Sequence, residues 1–278
     1  MRFKKQVTTV NSVKTFYWEK NQTKKEVIIF LHGFPGNHSG LVDMANGFKN
    51  KYRLIIPDLP ACGISEPLKE EHVLKNLAQW LNNFLNNLSI DKAIIVGHSF
   101  GSRLALVFCV DYPEKVQKLV LLTPVAKVDG FIDRIASLEY KTAKILPEKL
   151  RKVWLSNRVY QGAVHMVVFK TASAKRRKML IERDIKEFSH FTPRVNIEIF
   201  DEFYNFSLIP TGQKVKIKSL IVAGDKDEVA TMFSVRELVV AMNAELKVMK
   251  NSGHLVPLER PLATAKIIQK WLEDNAIK

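Results

Sequence analysis

Ser99 stands between two glycines in Gly97-His98-Ser99-Phe100-Gly101, after the apolar run Ala93–Val96 and before "SRLALVFCV". A serine hydroxyl is a weak nucleophile until a base takes its proton, and that base must be oriented by an acid. Gly-x-Ser-x-Gly between a strand and a helix describes a turn too tight for neighbouring Cβ atoms. Such a bend lifts Oγ clear of the sheet, and the helix that follows aims its first N–H groups at developing negative charge. Two acids, Asp225 and Asp227, follow the apolar run "SLIVAG", and a histidine, His254, follows "ELKVMK" in "NSGHLVPLERP". After "VIIFL" comes His32-Gly33-Phe34-Pro35-Gly36, whose glycines let backbone amides face inward. The amides of Phe34 and Phe100 are the expected oxyanion donors. All these groups follow strand-like runs, and open α/β sheets gather ligands and catalysis at the carboxyl ends of their strands.

Six short apolar runs read as buried strands: residues 26–31, 52–57, 92–97, 118–123, 219–224 and 245–250. They lack alternation, as strands do in a parallel sheet covered on both faces. Amphipathic helical patterns separate them. In one, Val73, Leu74, Leu77, Trp80, Leu81, Phe84, Leu85 and Leu88 recur at helical spacing. Strand–helix alternation predicts a doubly wound, mostly parallel α/β sheet. The rhythm breaks between about Val125 and Gln213, where the periodicity is helical only. The expected organisation is a core of residues 1–124 and 213–278 with an inserted helical cap over 125–212.

At 278 residues the chain can bury a large core. It has two cysteines, Cys62 and Cys109, and no Cys/His ligand spacing, so a metal site is not expected. The N-terminus is basic without an apolar h-region, and no run approaches a membrane span. A cytoplasmic location with reduced thiols is the expectation. The net charge of +15 is spread along the chain, +6 over residues 127–213 and +9 over the rest. Without a nucleic-acid-binding motif, that excess predicts a solvated Lys-rich surface and no nucleic-acid partner. Lys175, Arg176, Arg177 and Lys178 form the one concentrated patch, for which a surface for acidic lipid or an anionic substrate is the functional alternative. The sequence carries no reading of oligomeric state.

"LHGFPG", "PDLPACGIS", "GHSFG", "GDKDEV" and "SGHLVPLERP" together resemble the α/β-hydrolase fold superfamily, over roughly residues 25–124 and 215–278. The resemblance places the catalytic acid three residues after the glycine that ends its strand, hence Asp227 rather than Asp225. It also makes the residue after His-Gly, Phe34, the second oxyanion donor. In two places the chain departs from the pattern of its relatives. The loop that usually reads Asp-x-x-Gly-x-Gly-x-Ser has Ala61 at the first glycine. Relatives that open epoxides or remove halides usually carry Asp at the nucleophile position, where this chain has Ser99.

The expected function is cleavage of a carboxylic ester or similar acyl compound by Ser99, Asp227 and His254, with no cofactor. One fold hosts many chemistries. The same triad in similar relatives cleaves C–C bonds, transfers acyl groups or hydrolyses thioesters, and a non-enzymatic binding protein is a further alternative. His98 is expected to pack, His32 to shape the oxyanion loop and Asp58 to brace its own loop. Cys62 lacks a base of its own, and surface or packing roles are expected for His165 and His190. Of the apolar cap residues, Phe131, Trp154 and Met166 are expected to line a partly apolar pocket for a small-molecule acyl substrate.

Overall fold

A computed structural model describes residues 2–129, 131–155, 171–174, 177–182, 185 and 192–276. Its frame is an eight-stranded sheet in the order β1-β2-β4-β3-β5-β6-β7-β8. The strands are β1 (Lys4–Val10), β2 (Val13–Lys20), β3 (Glu26–Leu31), β4 (Tyr52–Pro57), β5 (Ala93–His98), β6 (Val116–Leu122), β7 (Ser219–Gly224) and β8 (Glu245–Met249). From β4 to β8 all pairings are parallel, whereas β2 runs antiparallel to both β1 and β4.

The six strands read from apolar runs are present within about two residues of their expected ends. β8, at the edge of the sheet, is not the buried strand expected: only Met249 is buried and Val248 exposes 42% of its surface. For the other five, the lack of alternation has the expected cause. Ile29, Leu31, Ile95, Leu119, Leu121, Ile221 and Ala223 face one core layer. Their neighbours Ile28, Phe30, Ile94, Val96, Val120, Leu122, Leu220 and Val222 face the other. Helices Leu74–Asn87, Phe100–Asp111 and Met232–Met242 cover the first face. Helices Ser39–Asn46 and Pro261–Asp274 cover the second.

The hairpin β1–β2 was not among the expected strands. In β1 exposed residues alternate with half-buried ones and only Val10 is buried, while β2 alternates buried with exposed or half-buried residues, so neither reads as a buried apolar strand. Its signal is the two-residue turn Asn11-Ser12, which joins paired Val10 and Val13 with both φ positive, at 48° and 66°. A type I′ hairpin turn demands that geometry, and Asn favours it.

Between β6 and β7 the described residues contain helices and no strand: Phe131–Ile145, Glu148–Leu155, Pro193–Asn205 and the single turn Ile209–Gly212. The Thr192 side chain caps the third of these, accepting from the Val195 amide, and Pro193 occupies its first turn. The Leu208 amide donates to the Ala126 carbonyl at 2.8 Å, so the chain leaves and rejoins the sheet side by side. Buried His72 ties helix Pro193–Asn205 to the loop before helix Leu74–Asn87. Its Nδ1 and its backbone amide donate to Glu198 Oε2 at 2.8 and 2.9 Å, and its Nε2 accepts from the Leu68 amide at 3.0 Å. Arg194 Nε donates to the other Glu198 oxygen at 2.6 Å. No helix among the described residues is long and apolar enough to cross a membrane.

Candidate active site

Ser99, Asp227, His254 and the His32–Phe34 loop converge at the carboxyl ends of β5, β7, β8 and β3. Ser99 adopts φ 52° and ψ −114°, a conformation that costs a non-glycine residue about 1–3 kcal/mol. The turn closes so tightly that a Cβ on Gly97 would lie 2.2 Å from the Gly101 carbonyl oxygen, and one on Gly101 would lie 2.2 Å from that of Leu31. These neighbours are backbone atoms and cannot swing away. Hydrogen bonds from the surroundings hold the strained residue in place. The Ser99 amide donates to the Leu122 carbonyl at 3.0 Å, and Ser102 Oγ donates to the Gly97 carbonyl at 2.8 Å.

His254 lies between the hydroxyl and the acid. Its Nε2 is 2.9 Å from Ser99 Oγ, and its Nδ1 is 2.9 Å from Asp227 Oδ2. Asp227 Oδ1 accepts the amides of Val229 and Ala230 at 2.8 and 2.9 Å, which fixes the carboxylate plane. Asp225 turns elsewhere and accepts the Ser252 amide at 3.2 Å. The His254 backbone is held from behind, because its carbonyl accepts from Thr123 Oγ1 at 2.7 Å and from His98 Nε2 at 3.2 Å. A carbonyl can only accept, so His98 carries its proton on Nε2. Ser99, Asp227 and His254 are all buried.

The His32–Phe34 loop passes directly over the serine. A Cβ on Gly33 would come within 3.2 Å of Ser99 Cβ and of His98 Nδ1. Phe34 follows Gly33 in this loop, and Phe100 supplies the first amide of helix Phe100–Asp111, which has no acceptor within that helix. The imidazole of His32 accepts the Leu59 amide at Nε2, 3.0 Å away, and donates from Nδ1 to the Gly33 carbonyl at 2.9 Å. Asp58, fully buried, accepts from the His38 amide, His38 Nδ1 and the Ile64 amide, at 2.8, 2.9 and 3.1 Å. It therefore braces two loops beside the site. Ala61, where the pattern of relatives has glycine, adopts φ 66°.

An aromatic wall that sequence reasoning did not identify begins at Phe100, the residue after the serine. The Phe100 ring meets those of Phe34 and Phe203, with centroids 6.3 and 5.4 Å apart, and Phe34 meets Phe200 at 5.9 Å. Tyr140 and Tyr204 extend it, each packing on Phe200. Its signal is Phe200, Phe203 and Tyr204, spaced three and four apart on one helix face. Trp154, expected in the pocket, exposes 43% of its surface. Phe131 begins its helix, but its side chain lies outside the described residues, as do Met166, His165, His190, Lys175 and Arg176. Of the remaining patch residues, Arg177 donates to the Ala172 carbonyl at 3.2 Å and Lys178 is exposed. Cys62 and Cys109 are both buried, and burial pushes the Cys109 thiol up to about 12, far from thiolate chemistry at neutral pH. Among the described residues, no group of three or more His, Cys, Asp or Glu could hold a metal ion.

Known proteins resemble this chain in sequence and in fold. Human monoacylglycerol lipase ABHD6 is 23% identical over 257 residues, covering 89% of this chain and 75% of the lipase. The uncharacterized hydrolase YugF of Bacillus subtilis (strain 168) is 25% identical over 276 residues, 95% of this chain and 96% of its own. Among solved structures, MGS-M2, an alpha/beta hydrolase enzyme from a Medee basin deep-sea metagenome library, superimposes with a TM-score of 0.82 at 20% identity. That match covers 98% of this chain and 99% of the other, and shows the common fold. A family model described as the alpha/beta hydrolase fold matches residues 26–261. The chain belongs to the α/β-hydrolase family.

Proposed function

We propose that the protein hydrolyses a carboxylic ester through a serine acyl-enzyme. The observation that carries this reading is His254, whose two ring nitrogens each stand 2.9 Å from a partner, Ser99 Oγ on one side and Asp227 Oδ2 on the other. Asp227 accepts a hydrogen bond from Nδ1–H and so keeps Nε2 unprotonated, ready to receive the Ser99 proton as Oγ attacks the carbonyl carbon. The negative charge that develops on the carbonyl oxygen is met by the amides of Phe34 and Phe100. His254 then protonates the departing alkoxide. Water, deprotonated by the same imidazole, attacks the acyl-enzyme and returns Ser99 to its starting state. Side chains and backbone handle every proton and charge in this scheme, so it invokes no cofactor.

Residues 125–212 are assigned as a cap, with the rings of Phe200 and Phe203 forming the acyl side of the pocket beside Phe34 and Phe100. An aromatic wall suits a small, partly apolar acyl group. The ester reading is supported by the relative named a monoacylglycerol lipase. A serine in the elbow in place of a carboxylate weighs against epoxide opening and dehalogenation.

A panel of p-nitrophenyl esters of rising chain length tests the proposal. Turnover should peak at short to medium chains and disappear in Ser99→Ala. Silence on every ester, with Ser99 still reactive toward a phosphonylating probe, would replace ester hydrolysis with C–C cleavage, thioester hydrolysis or acyl transfer.

A further inference from the structure

Arg103 lies one helical turn beyond Ser99 on helix Phe100–Asp111 and is fully buried. Its guanidinium reaches three backbone carbonyls. Nη1 donates to Val125 at 2.6 Å, and Nη2 donates to Glu202 at 2.6 Å and also to Phe206. Val125 lies just past β6, where the chain departs into the 125–212 segment, and Glu202 and Phe206 lie where it returns. One side chain on the serine-bearing helix thus holds both feet of that segment. The last carbonyls of a helix lack internal partners and carry partial negative charge, so a cation suits them. The rings of Phe203 and Phe206 pack 5.4 and 5.7 Å from the guanidinium carbon.

This arrangement is expensive. Burial pulls Arg103 down to about 10, with the Glu202 carboxylate opposing, and Nε has no hydrogen-bond partner. Apolar side chains of similar volume often replace buried charges at no loss of stability. A buried cation here is therefore better explained by what it positions. Phe203 touches both the guanidinium and the Phe100 ring, and Phe200, one turn earlier, meets Phe34.

We propose that Arg103 is a positioning residue for acyl selectivity, clamping both ends of the 125–212 segment so that Phe200 and Phe203 stand against Phe34 and Phe100. The proposal rests on the ester-hydrolase reading above. Lysine keeps the charge but not the planar fork that meets several carbonyls, so Arg103→Lys should behave as a partial loss.

The test compares wild type with Arg103→Met, Arg103→Lys and Phe203→Leu, the last of which leaves the buried charge and its carbonyl partners intact. Kinetics are measured on p-nitrophenyl acetate and octanoate, and hydrogen exchange is followed in residues 199–208 and in β5. In Arg103→Met the octanoate KM should rise about tenfold, against less than about threefold for acetate. Exchange in 199–208 should rise while β5 stays protected. Arg103→Lys should show smaller changes of the same kind, and Phe203→Leu should raise the octanoate KM without loosening 199–208. If Arg103→Met does not fold, the other two variants decide the matter. An unchanged acetate-to-octanoate preference in both would overturn the proposal, as would an equal loss on both substrates. If wild type hydrolyses neither ester and Ser99 resists phosphonylation, it is the ester-hydrolase reading that fails. Hydrogen exchange still judges the clamp in that case, and unchanged protection of 199–208 in Arg103→Lys would defeat it.

Discussion

Asp227 grips Nδ1 of His254 at 2.9 Å with one carboxylate oxygen and anchors itself to two loop amides with the other. Asparagine can keep the amide contacts, but its NH2 would face Nδ1 and impose the wrong tautomer. Asp227→Asn should lower kcat about 10⁴-fold, by analogy with triads in which that change has been made, and leave the melting temperature nearly unchanged. Asp225→Asn should cost less than about tenfold, because Asp225 holds only the neighbouring loop. A larger loss in Asp225→Asn than in Asp227→Asn would reverse the assignment of the acid.

The elbow glycines are expected to tolerate no side chain. Added Cβ atoms at Gly97 or Gly101 would lie 2.2 Å from backbone oxygens, so the strand–helix junction itself must shift. Gly97→Ala and Gly101→Ala should each destabilise the protein by about 4 kcal/mol or more, measured by urea unfolding. A loss below about 1 kcal/mol would show that the turn is looser than described.

The candidate site was legible because its signals are local. Each candidate residue follows a strand within a few positions, and all of these strands but β8 are continuous apolar runs. The β1–β2 hairpin was harder to see, since half-buried antiparallel strands alternate and their turn is only two residues, Asn11 and Ser12. The aromatic wall was hidden for another reason. Phe200 and Phe203 lie on a helix about a hundred residues from Phe100, and helical periodicity alone does not reveal what a helix packs against. Choosing Asp227 over Asp225 needed the family pattern, because two acids separated by one residue on a loop look alike until the backbone turns them apart.

Ala61 holds a left-handed φ of 66° where relatives place glycine. A left-handed conformation costs an L-residue about 1–2 kcal/mol, and glycine's greater freedom when unfolded returns about 0.5–1 kcal/mol of that. Ala61→Gly should therefore stabilise the protein by up to about 1 kcal/mol, a rise of about 2–4 °C in melting temperature. A fall would mean that the Ala61 methyl makes contacts worth more than the strain.

His72 should make stability depend on pH. It accepts the Leu68 amide at Nε2 and is therefore neutral in the folded protein. Burial is the main cause holding its pKa below the ordinary 6.5, with the Glu198 carboxylate opposing. As pH falls, the unfolded chain takes up the proton first. The stabilisation is thus complete above the unfolded value and is lost as pH falls from there through the folded value. Melting temperature should drop between about pH 7 and pH 5, and His72→Gln should flatten that slope. Parallel slopes would show that other groups set the pH dependence.

Ser99 should be the one reactive serine of the folded protein. Folded protein treated with a fluorophosphonate should gain the mass of one adduct, and peptide mapping should place it on Ser99. Labelling should vanish in Ser99→Ala and slow strongly in His254→Ala. Folded protein that gains no adduct, or gains it on another residue, would contradict the serine-hydrolase mechanism.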